Sequence, residues 1–264
     1  MNILFNGGAV WGFCEYIGSL QYIREHNLDF DRIYGISAGG GIAVLYVLGF
    51  EIDEILTMWN KALRETKVND SLTDNHLMGC RFIFENRPNA YKIANGRLFI
   101  GITGVDGFFW KSEFKSNEDL GNALICGGTI PFLSSYEAVC NGKNAFDGGI
   151  GVSHKDIPEN TRIVTPTTKF PISVIPPPPF IQHTLQALGY YNMRMKSGDF
   201  SCSNVNPIIT QLLFVIYEYQ QKQYDITDLY TFTSLLSETT AHEVGGLNVQ
   251  RCNVKKRRLK CKKR

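Results

Sequence analysis

Hydrophobic and polar positions in the first fifty residues alternate between strand-like runs and helical periods. The apolar run Ile3–Phe5 precedes Asn6-Gly7-Gly8, which predicts a strand followed by a tight loop. Residues 32–36 predict a second strand, and residues 38–48, apolar on every side, predict a buried helix. Between the two strands, a helix over roughly 11–26 is predicted by helical spacing of the apolar side chains Phe13, Tyr16, Ile17 and Leu20.

The rest of the chain carries further patterns of both kinds. An amphipathic helix is predicted from Ile52 to Leu63, whereas the polar segment 65–95 has no clear pattern. Strands are predicted at 98–103, 105–110, 143–146 and 162–165. Helices are predicted from Ser116 to Cys126, at 180–197, at 207–223 and near 228–236, with a stiff proline run at 176–179. Strands that alternate with helices predict an α/β fold with a mainly parallel sheet.

Composition and charge divide the chain into two parts. With 44% hydrophobic and 20% charged residues, the chain has the composition of a globular protein rather than a disordered one. The net charge of +2 conceals an asymmetry, because residues 251–264 contain nine Lys/Arg and no acid, which leaves 18 basic and 25 acidic residues, or −7, for residues 1–250. We therefore expect one domain over 1–250 and a basic, disordered tail over 251–264.

Three interpretations of this tail remain open. It is a solvated chain end, a polybasic segment that contacts anionic lipid, or a nuclear signal around Lys255–Arg258. In the second interpretation Cys252 and Cys261 are sites for added acyl chains. Because the tail lacks aromatic residues for base stacking and the body is acidic, nucleic acid is at most a secondary partner.

The seven cysteines form neither a CxxC pair nor a metal-ligand spacing. This pattern indicates free thiols in a reducing compartment, and it predicts neither a disulfide framework nor a metal site. The N-terminus lacks the features of a signal peptide, and the apolar stretches near 42–50 and 208–217 are too short to span a bilayer. The sequence thus predicts an intracellular protein, either cytoplasmic or peripherally membrane-associated, with no cofactor. The basic tail leaves a nuclear location open.

The first chemical motif is Gly35-Ile36-Ser37-Ala38-Gly39, which fits the G-x-S-x-G nucleophile elbow. A predicted strand precedes Ser37 and a predicted helix follows it, as this motif requires. The elbow holds a serine exposed on a sharp turn that only small neighbours allow. The spacing therefore indicates a nucleophilic serine at position 37.

The second motif is the loop from Gly7 to Gly12, between the first strand and its helix. Backbone N–H groups at such a helix start suit an oxyanion hole, and they also suit a phosphate or dinucleotide. The dinucleotide spacing is not met, because Ala9 stands at its third position. A right-handed strand–helix–strand unit would bring this loop and Ser37 to the same edge of the sheet.

The third motif is Asp147-Gly148-Gly149, directly after a predicted strand. Asp147 would serve as a general base that accepts the Ser37 proton without a histidine. A plain Asp-Gly turn is the alternative, and Asp106-Gly107 is a competing pair of the same type. None of the five histidines lies in a motif, although His154 would fit a Ser-His-Asp arrangement.

With the loop, the elbow and the Asp-Gly-Gly in this order, the chain resembles the patatin-like phospholipase family. The likeness covers roughly 1–50 and 97–195, and it is closest to the animal subgroup of adipose triglyceride lipase and adiponutrin. This resemblance implies a three-layer fold whose central, mainly parallel sheet is flanked by helices. It also implies hydrolysis of ester-linked acyl chains of phospholipids or acylglycerols through an acyl-enzyme.

The resemblance assigns roles residue by residue. Ser37 is the nucleophile and Asp147 its base, and the backbone N–H groups of Gly7, Gly8 and Ala9 bind the oxyanion. The glycines that support these motifs are Gly12, Gly35, Gly39, Gly148 and Gly149. No metal is expected to take part.

The sequence departs from the family pattern at Ala9, where the family has a glycine. A positive φ at this position would cost about 1 kcal/mol. Trp11 replaces a basic residue of plant and bacterial members, and it lines the acyl groove or packs in the core. The chain is short, which predicts no large appended lipid-droplet region. Three alternatives stay open: an acyltransferase, a lysophospholipase, and an inactive lipid-binding module with the same fold.

Overall fold

The computed structural model describes residues 1–65, 72–130, 138–167, 177 and 179–195. All of them belong to one compact unit, Met1–Gln220. The predicted helices at 207–223 and 228–236, the domain boundary at 250 and the basic tail at 251–264 lie outside the described residues. So do Pro176 and Pro178 of the proline run at 176–179.

Seven strands and eight helices are described in these ranges. The strands are β1 (Asn2–Phe5), β2 (Ile33–Ile36), β3 (Leu98–Gly104), β4 (Gly107–Lys111), β5 (Val139–Cys140), β6 (Lys143–Asp147) and β7 (Thr161–Val164). The helices are α1 (Ala9–Glu25), α2 (Ala38–Val47), α3 (Ile52–Glu65), α4 (Leu72–Asn86), α5 (Ala90–Ala94), α6 (Asn117–Gly128), α7 (Gly148–Gly151) and α8 (Pro179–Met195). A 3₁₀ turn covers His154–Asp156.

The strands form one mixed sheet in the order β5-β6-β3-β2-β1-β7, with β4 paired to β3. β7, β1, β2 and β3 run parallel, and β4, β5 and β6 add antiparallel pairs at one side. The predicted α/β class is confirmed. The parallel part of the sheet holds both glycine motifs, whereas the Asp147 motif enters on the antiparallel strand β6.

Side chains of the central strands alternate between two faces of the sheet. Ile3, Phe5 and Ile33 join the main core cluster with the helices of one face. On the other face, Leu4 and Tyr34 pack with a smaller cluster that includes Ile36, Phe99, Trp110, Val152 and Ile157. The sheet is therefore covered on both sides, as its continuous apolar strands predict.

Helix α8 packs directly against α1. A β-carbon on Gly18 would lie 1.8 Å from the Gln186 carbonyl oxygen, and one on Gly189 would lie 1.7 Å from the Glu15 carbonyl oxygen. The two helices thus touch backbone to backbone, which only glycine allows at these positions. None of the described helices combines the length and hydropathy of a membrane crossing.

The hydrophobic pattern predicts no element in segment 65–95. Its described part forms α4 and α5. Polar residues are spread along α4, and tertiary packing of residues such as Cys80 and Ile83 fixes the helix.

The hairpin between β3 and β4 turns at Val105–Asp106 rather than at Gly104. Asp106-Gly107, the competing Asp-Gly pair, is therefore a turn. Ser116 caps α6 as predicted, with its hydroxyl 3.2 Å from the Asp119 N–H.

Candidate active site

Ser37 lies on a sharp turn between β2 and α2. Its backbone has φ 56° and ψ −129°, a strained conformation for a residue other than glycine. A β-carbon on Gly35 would lie 2.5 Å from the Gly40 Cα, and one on Gly39 would lie 2.0 Å from the Phe5 carbonyl oxygen. Both motif glycines are therefore required by close backbone packing, as the elbow geometry predicts.

The loop from Gly7 to Gly12 lies beside Ser37. A β-carbon on Gly7 would be 3.5 Å from the Ser37 Cβ, so the loop and the elbow share one crevice at the carboxyl ends of β1 and β2. The Gly7 N–H donates to Asn6 Oδ1 at 2.8 Å. Gly8 and Ala9 belong to the first turn of α1, where N–H groups have no acceptor within the helix. The loop therefore has three N–H groups to offer. The N–H of Gly7 is hydrogen-bonded to Asn6, and those of Gly8 and Ala9 lie at the start of the helix.

Ala9 has a φ of 48°, in the left-handed region that favours glycine. Its β-carbon therefore costs about 1 kcal/mol at a position where the family has glycine. Trp11 is 1% exposed and packs with Cys14, Ile181 and Leu185. Of its two interpretations, the structure favours the one in which Trp11 is a core residue.

Asp147 is buried at the end of β6, with 4% of its surface exposed. Its Oδ1 accepts a hydrogen bond from the Gly149 N–H at 2.7 Å, and its own N–H donates to the Thr129 carbonyl at 2.8 Å. Thr103 Oγ1 donates to the Asp147 carbonyl at 2.8 Å. Two hydrogen bonds thus fix the backbone of this residue and a third fixes its side chain, so the carboxyl group has a defined position.

Burial raises the pKa of Asp147 to about 6, against the lowering effect of hydrogen bonds from Ser37 and from the Gly149 N–H. Oδ2 is buried, and no described group meets strict hydrogen-bond geometry with it. Among the described residues, the hydrogen bond to the carboxylate that meets this geometry is the one from the Gly149 N–H, and Ser37 is close enough to lower the pKa of the group. A carboxylate with a raised pKa beside a serine hydroxyl is suited to accept its proton.

A largely apolar cavity of about 150 Å³ opens next to Ser37. This volume is that of a cavity able to take a benzene-sized apolar group. Its apolar lining comes from α1, α2, α3, α4 and α6, and includes Phe13, Val44, Leu45, Met58, Trp59, Ile83 and Leu124. Such a cavity accommodates a hydrocarbon group beside Ser37, which is one of its lining residues.

The described histidines differ in their relation to this site. His154, the histidine of the alternative triad, lies exposed in the 3₁₀ turn. His76 lines the cavity, and its Nε2 would lie 2.4 Å from a β-carbon on Gly128. Sequence reasoning missed His76, because it lies in the unassigned segment 65–95 and no motif surrounds it. Within the described ranges, no three His, Cys, Asp or Glu side chains are grouped to hold a metal ion.

Comparisons with known proteins find one matching family and two similar proteins. Residues 3–113, fewer than half of the 264, match the family model of the patatin-like phospholipases. The chain is 31% identical to the mouse omega-hydroxyceramide transacylase over 164 residues, which is 56% of this chain and 27% of that protein. It is 32% identical to the human protein of the same name over 161 residues, which is 56% of this chain and 30% of that one.

The chain therefore spans less than a third of the length of these two relatives. They do not single out the predicted subgroup of adipose triglyceride lipase and adiponutrin. The matched residues include the loop from Gly7 to Gly12 and Ser37, and they end before Asp147. Together, the mixed α/β sheet and the family match show that residues 3–113 are similar to a patatin-like phospholipase domain.

Proposed function

We propose that this protein is a lipid acyl hydrolase that cleaves ester-linked fatty acyl chains, with Ser37 as nucleophile and Asp147 as general base. The observation that carries the proposal is a strained serine that lines an apolar cavity, close enough to a buried carboxylate to lower the pKa of that group. Membership of the whole chain in the patatin-like phospholipase family is part of this proposal. So is a phospholipid or acylglycerol as substrate.

The reaction begins when the acyl chain enters the cavity and its ester carbonyl lies over Ser37. Asp147 takes the hydroxyl proton while Ser37 Oγ bonds to the carbonyl carbon, and the carbonyl electron pair moves to oxygen. Gly8 and Ala9 donate their N–H groups to this oxyanion, and Gly7 joins them when its N–H leaves Asn6. The carbon–oxygen bond of the leaving alcohol then breaks, and Asp147 returns the proton to that oxygen.

The acyl-enzyme is released by the reverse sequence. A water gives its proton to Asp147 as its oxygen attacks the acyl carbon, and Ser37 leaves with the proton that Asp147 returns. If a lipid hydroxyl takes the place of this water, the same steps transfer the acyl chain to a new ester. The names of the two transacylase relatives favour this second candidate function, an acyltransferase.

Labelling with a fluorophosphonate probe tests the nucleophile. We expect the wild type to be labelled, Ser37→Ala to be unlabelled, and Asp147→Asn to react at least about a hundredfold more slowly. His154→Ala is the control for the triad alternative, and it should keep its activity. Labelling that persists in Ser37→Ala would refute the assignment. An unlabelled wild type without esterase activity would favour the inactive lipid-binding module.

A partition assay separates the two candidate functions. A radiolabelled acyl ester is supplied with increasing amounts of a long-chain alcohol, and free fatty acid and new ester are measured together. A hydrolase gives free acid at all alcohol concentrations, with the new ester as a minor product. If new ester becomes the main product already at low alcohol concentration, while the total rate of acyl release stays constant, the protein is a transferase.

We further propose that the basic tail at 251–264 brings the acidic body to anionic lipid. Each Lys or Arg near an anionic surface contributes about 1 kcal/mol at low salt. Flotation with phosphatidylserine vesicles should fall on tail deletion and at high salt. Flotation that is unchanged by both would contradict this role and leave the solvated end or the nuclear signal.

A further inference from the structure

Glu15 is a buried carboxylate on α1 that takes no part in the proposed chemistry. It is 1% exposed. Its Oε2 accepts hydrogen bonds from the Thr167 N–H at 2.8 Å and from Thr167 Oγ1 at 2.9 Å. A buried carboxylate needs such bonds to offset its lost hydration, and charge-assisted bonds are the strong ones. Glu15 therefore ties the chain after β7 firmly to the first helix.

The residue before Thr167 is Pro166. Its ring packs against the loop from Gly7 to Gly12, which is the proposed oxyanion loop. A β-carbon on Gly8 would lie 2.3 Å from Pro166 Cγ, and one on Gly12 would lie 2.9 Å from the same atom. The Gly12 N–H donates to the Gly8 carbonyl at 2.8 Å, which opens α1. Pro166 thus forms a wall against the two glycines that frame the start of the helix.

The contact of Pro166 with Gly8 lies next to a strained backbone segment. Ala9, next to Gly8, has a φ of 48°, and such a conformation persists only where its surroundings fix it. On the other flank, the Tyr16 hydroxyl donates to the Asn6 carbonyl at 2.5 Å and contacts the Val164 carbonyl at 3.2 Å. Two neighbouring residues of α1 therefore hold the ends of β1 and β7 that enclose the loop.

We propose that Glu15 is a positioning residue for the oxyanion loop. By anchoring Thr167 it holds Pro166 against Gly8, and this contact keeps the N–H groups of Gly8 and Ala9 directed at the substrate oxygen. The inference rests on the proposed function of Ser37. It predicts that loosening this anchor slows the reaction at Ser37 although no atom of Glu15 touches the substrate.

Two variants loosen the anchor with little change of shape. Thr167→Val replaces the hydroxyl donor with a methyl group, and Glu15→Gln keeps an acceptor for Thr167 but removes the negative charge. Ser19→Ala is the matched control, because Ser19 is also buried on α1. Its hydroxyl donates to the Gly189 carbonyl at 3.1 Å and contacts the Glu15 backbone carbonyl at 3.4 Å, so its loss loosens α1 and leaves the bonds from Thr167 to the Glu15 carboxylate in place. All three variants should lower the Tm.

The measurements are the rate of Ser37 phosphonylation, kcat and KM for a short p-nitrophenyl ester, and the Tm. We expect Thr167→Val and Glu15→Gln to lower the phosphonylation rate and kcat roughly tenfold with KM unchanged, since slight misplacement of donors slows the chemical step. Ser19→Ala should keep both rates within about twofold. If Glu15→Gln does not fold, Thr167→Val decides the question.

Each contrary outcome has its own meaning. If the wild type reacts and Thr167→Val reacts equally fast, Glu15 is purely structural and the inference is wrong while the proposed function stands. An equal loss of rate in Ser19→Ala would also overturn the inference, because general loosening of α1 would explain it. A wild type without reaction at Ser37 would overturn the proposed function and this inference together.

Discussion

Gly148 lies against Gly101 so closely that a β-carbon on Gly148 would be 2.4 Å from the Gly101 carbonyl oxygen. The sheet register explains why this contact matters. Ile36 pairs with Gly101 on one side of β3, and Asp147 pairs with Ile102 on the other, so one strand separates Ser37 from Asp147. After Asp147 the chain bends over β3, and Gly148 and Gly149, the two glycines that follow, make that crossing possible.

This relationship predicts unequal effects of alanine at the two glycines of the Asp-Gly-Gly motif. Gly148→Ala meets backbone atoms that cannot move aside, so we expect loss of about 2 kcal/mol or more of unfolding free energy and loss of esterase activity. Gly149→Ala places its β-carbon 3.0 Å from Asp147 Oδ1, a side-chain atom that can shift. It should fold and lose only part of its activity. Urea denaturation and ester hydrolysis compare the variants, and equal stability would contradict this packing argument.

The raised pKa of Asp147 predicts how hydrolysis depends on pH. The base must be deprotonated, and burial raises its pKa to about 6. We therefore expect kcat/KM to fall about tenfold for each pH unit below 6 and to be constant above it. A pH series with a short p-nitrophenyl ester measures this.

A histidine would titrate in a similar range, so His76→Gln is the control for this profile. The inflection should remain in His76→Gln, whatever the absolute rate. An inflection near pH 4 would mean that the pKa of Asp147 is not raised, and one that disappears in His76→Gln would show that Asp147 is not the titrating group.

The same pKa predicts that Asp147 reduces stability above pH 6. Its carboxyl group has an ordinary pKa of 3.8 and a pKa of about 6 in the folded protein, so folding favours the protonated form. The penalty for burying the charged form is absent below pH 3.8, grows between 3.8 and 6, and then stays at up to about 3 kcal/mol.

Asp147→Asn should therefore raise the free energy of unfolding near pH 8 by up to this amount. Its Oδ1 can still accept from the Gly149 N–H. The gain should shrink as the pH is lowered through this window, as urea denaturation at several pH values would measure. An Asn variant that is less stable than the wild type near pH 8 would mean that the ionised carboxylate is held by stronger partners.

The cavity beside Ser37 predicts a variant that changes chain-length preference. Gly79 lines the cavity from α4, and a β-carbon there would meet no described atom within 4 Å. Gly79→Leu would fill this space, so the ratio of long-chain to short-chain ester hydrolysis should fall roughly tenfold. Leucine also favours the helix by up to about 1 kcal/mol over glycine, so the Tm should not fall.

Gly79→Ala is the matched control, since it gives most of the helix gain and adds only a methyl group. It should leave the chain-length ratio nearly unchanged. Gly79→Leu with an unchanged ratio would mean that acyl chains bind elsewhere.

The sequence alone determined the parts of the site that are local. A nucleophile elbow and a glycine loop on consecutive strand–helix units are specified within about 36 residues, and right-handed crossover puts them at one sheet edge. The positions of Ser37, Gly35 and Gly39 on a sharp turn were therefore predictable from spacing and backbone sterics, whereas the positive φ of Ala9 was only a condition drawn from the family resemblance. The α/β class followed from the same alternation.

Only the tertiary structure decided how distant segments meet. The approach of Asp147 to Ser37 depends on strand order and on the contact of Gly148 with Gly101, 47 positions apart. The cavity wall at His76 and the anchor from Glu15 to Thr167 leave no pattern in the sequence either. Such contacts depend on packing between elements far apart in the chain, and a periodicity or a motif reports only neighbours along it.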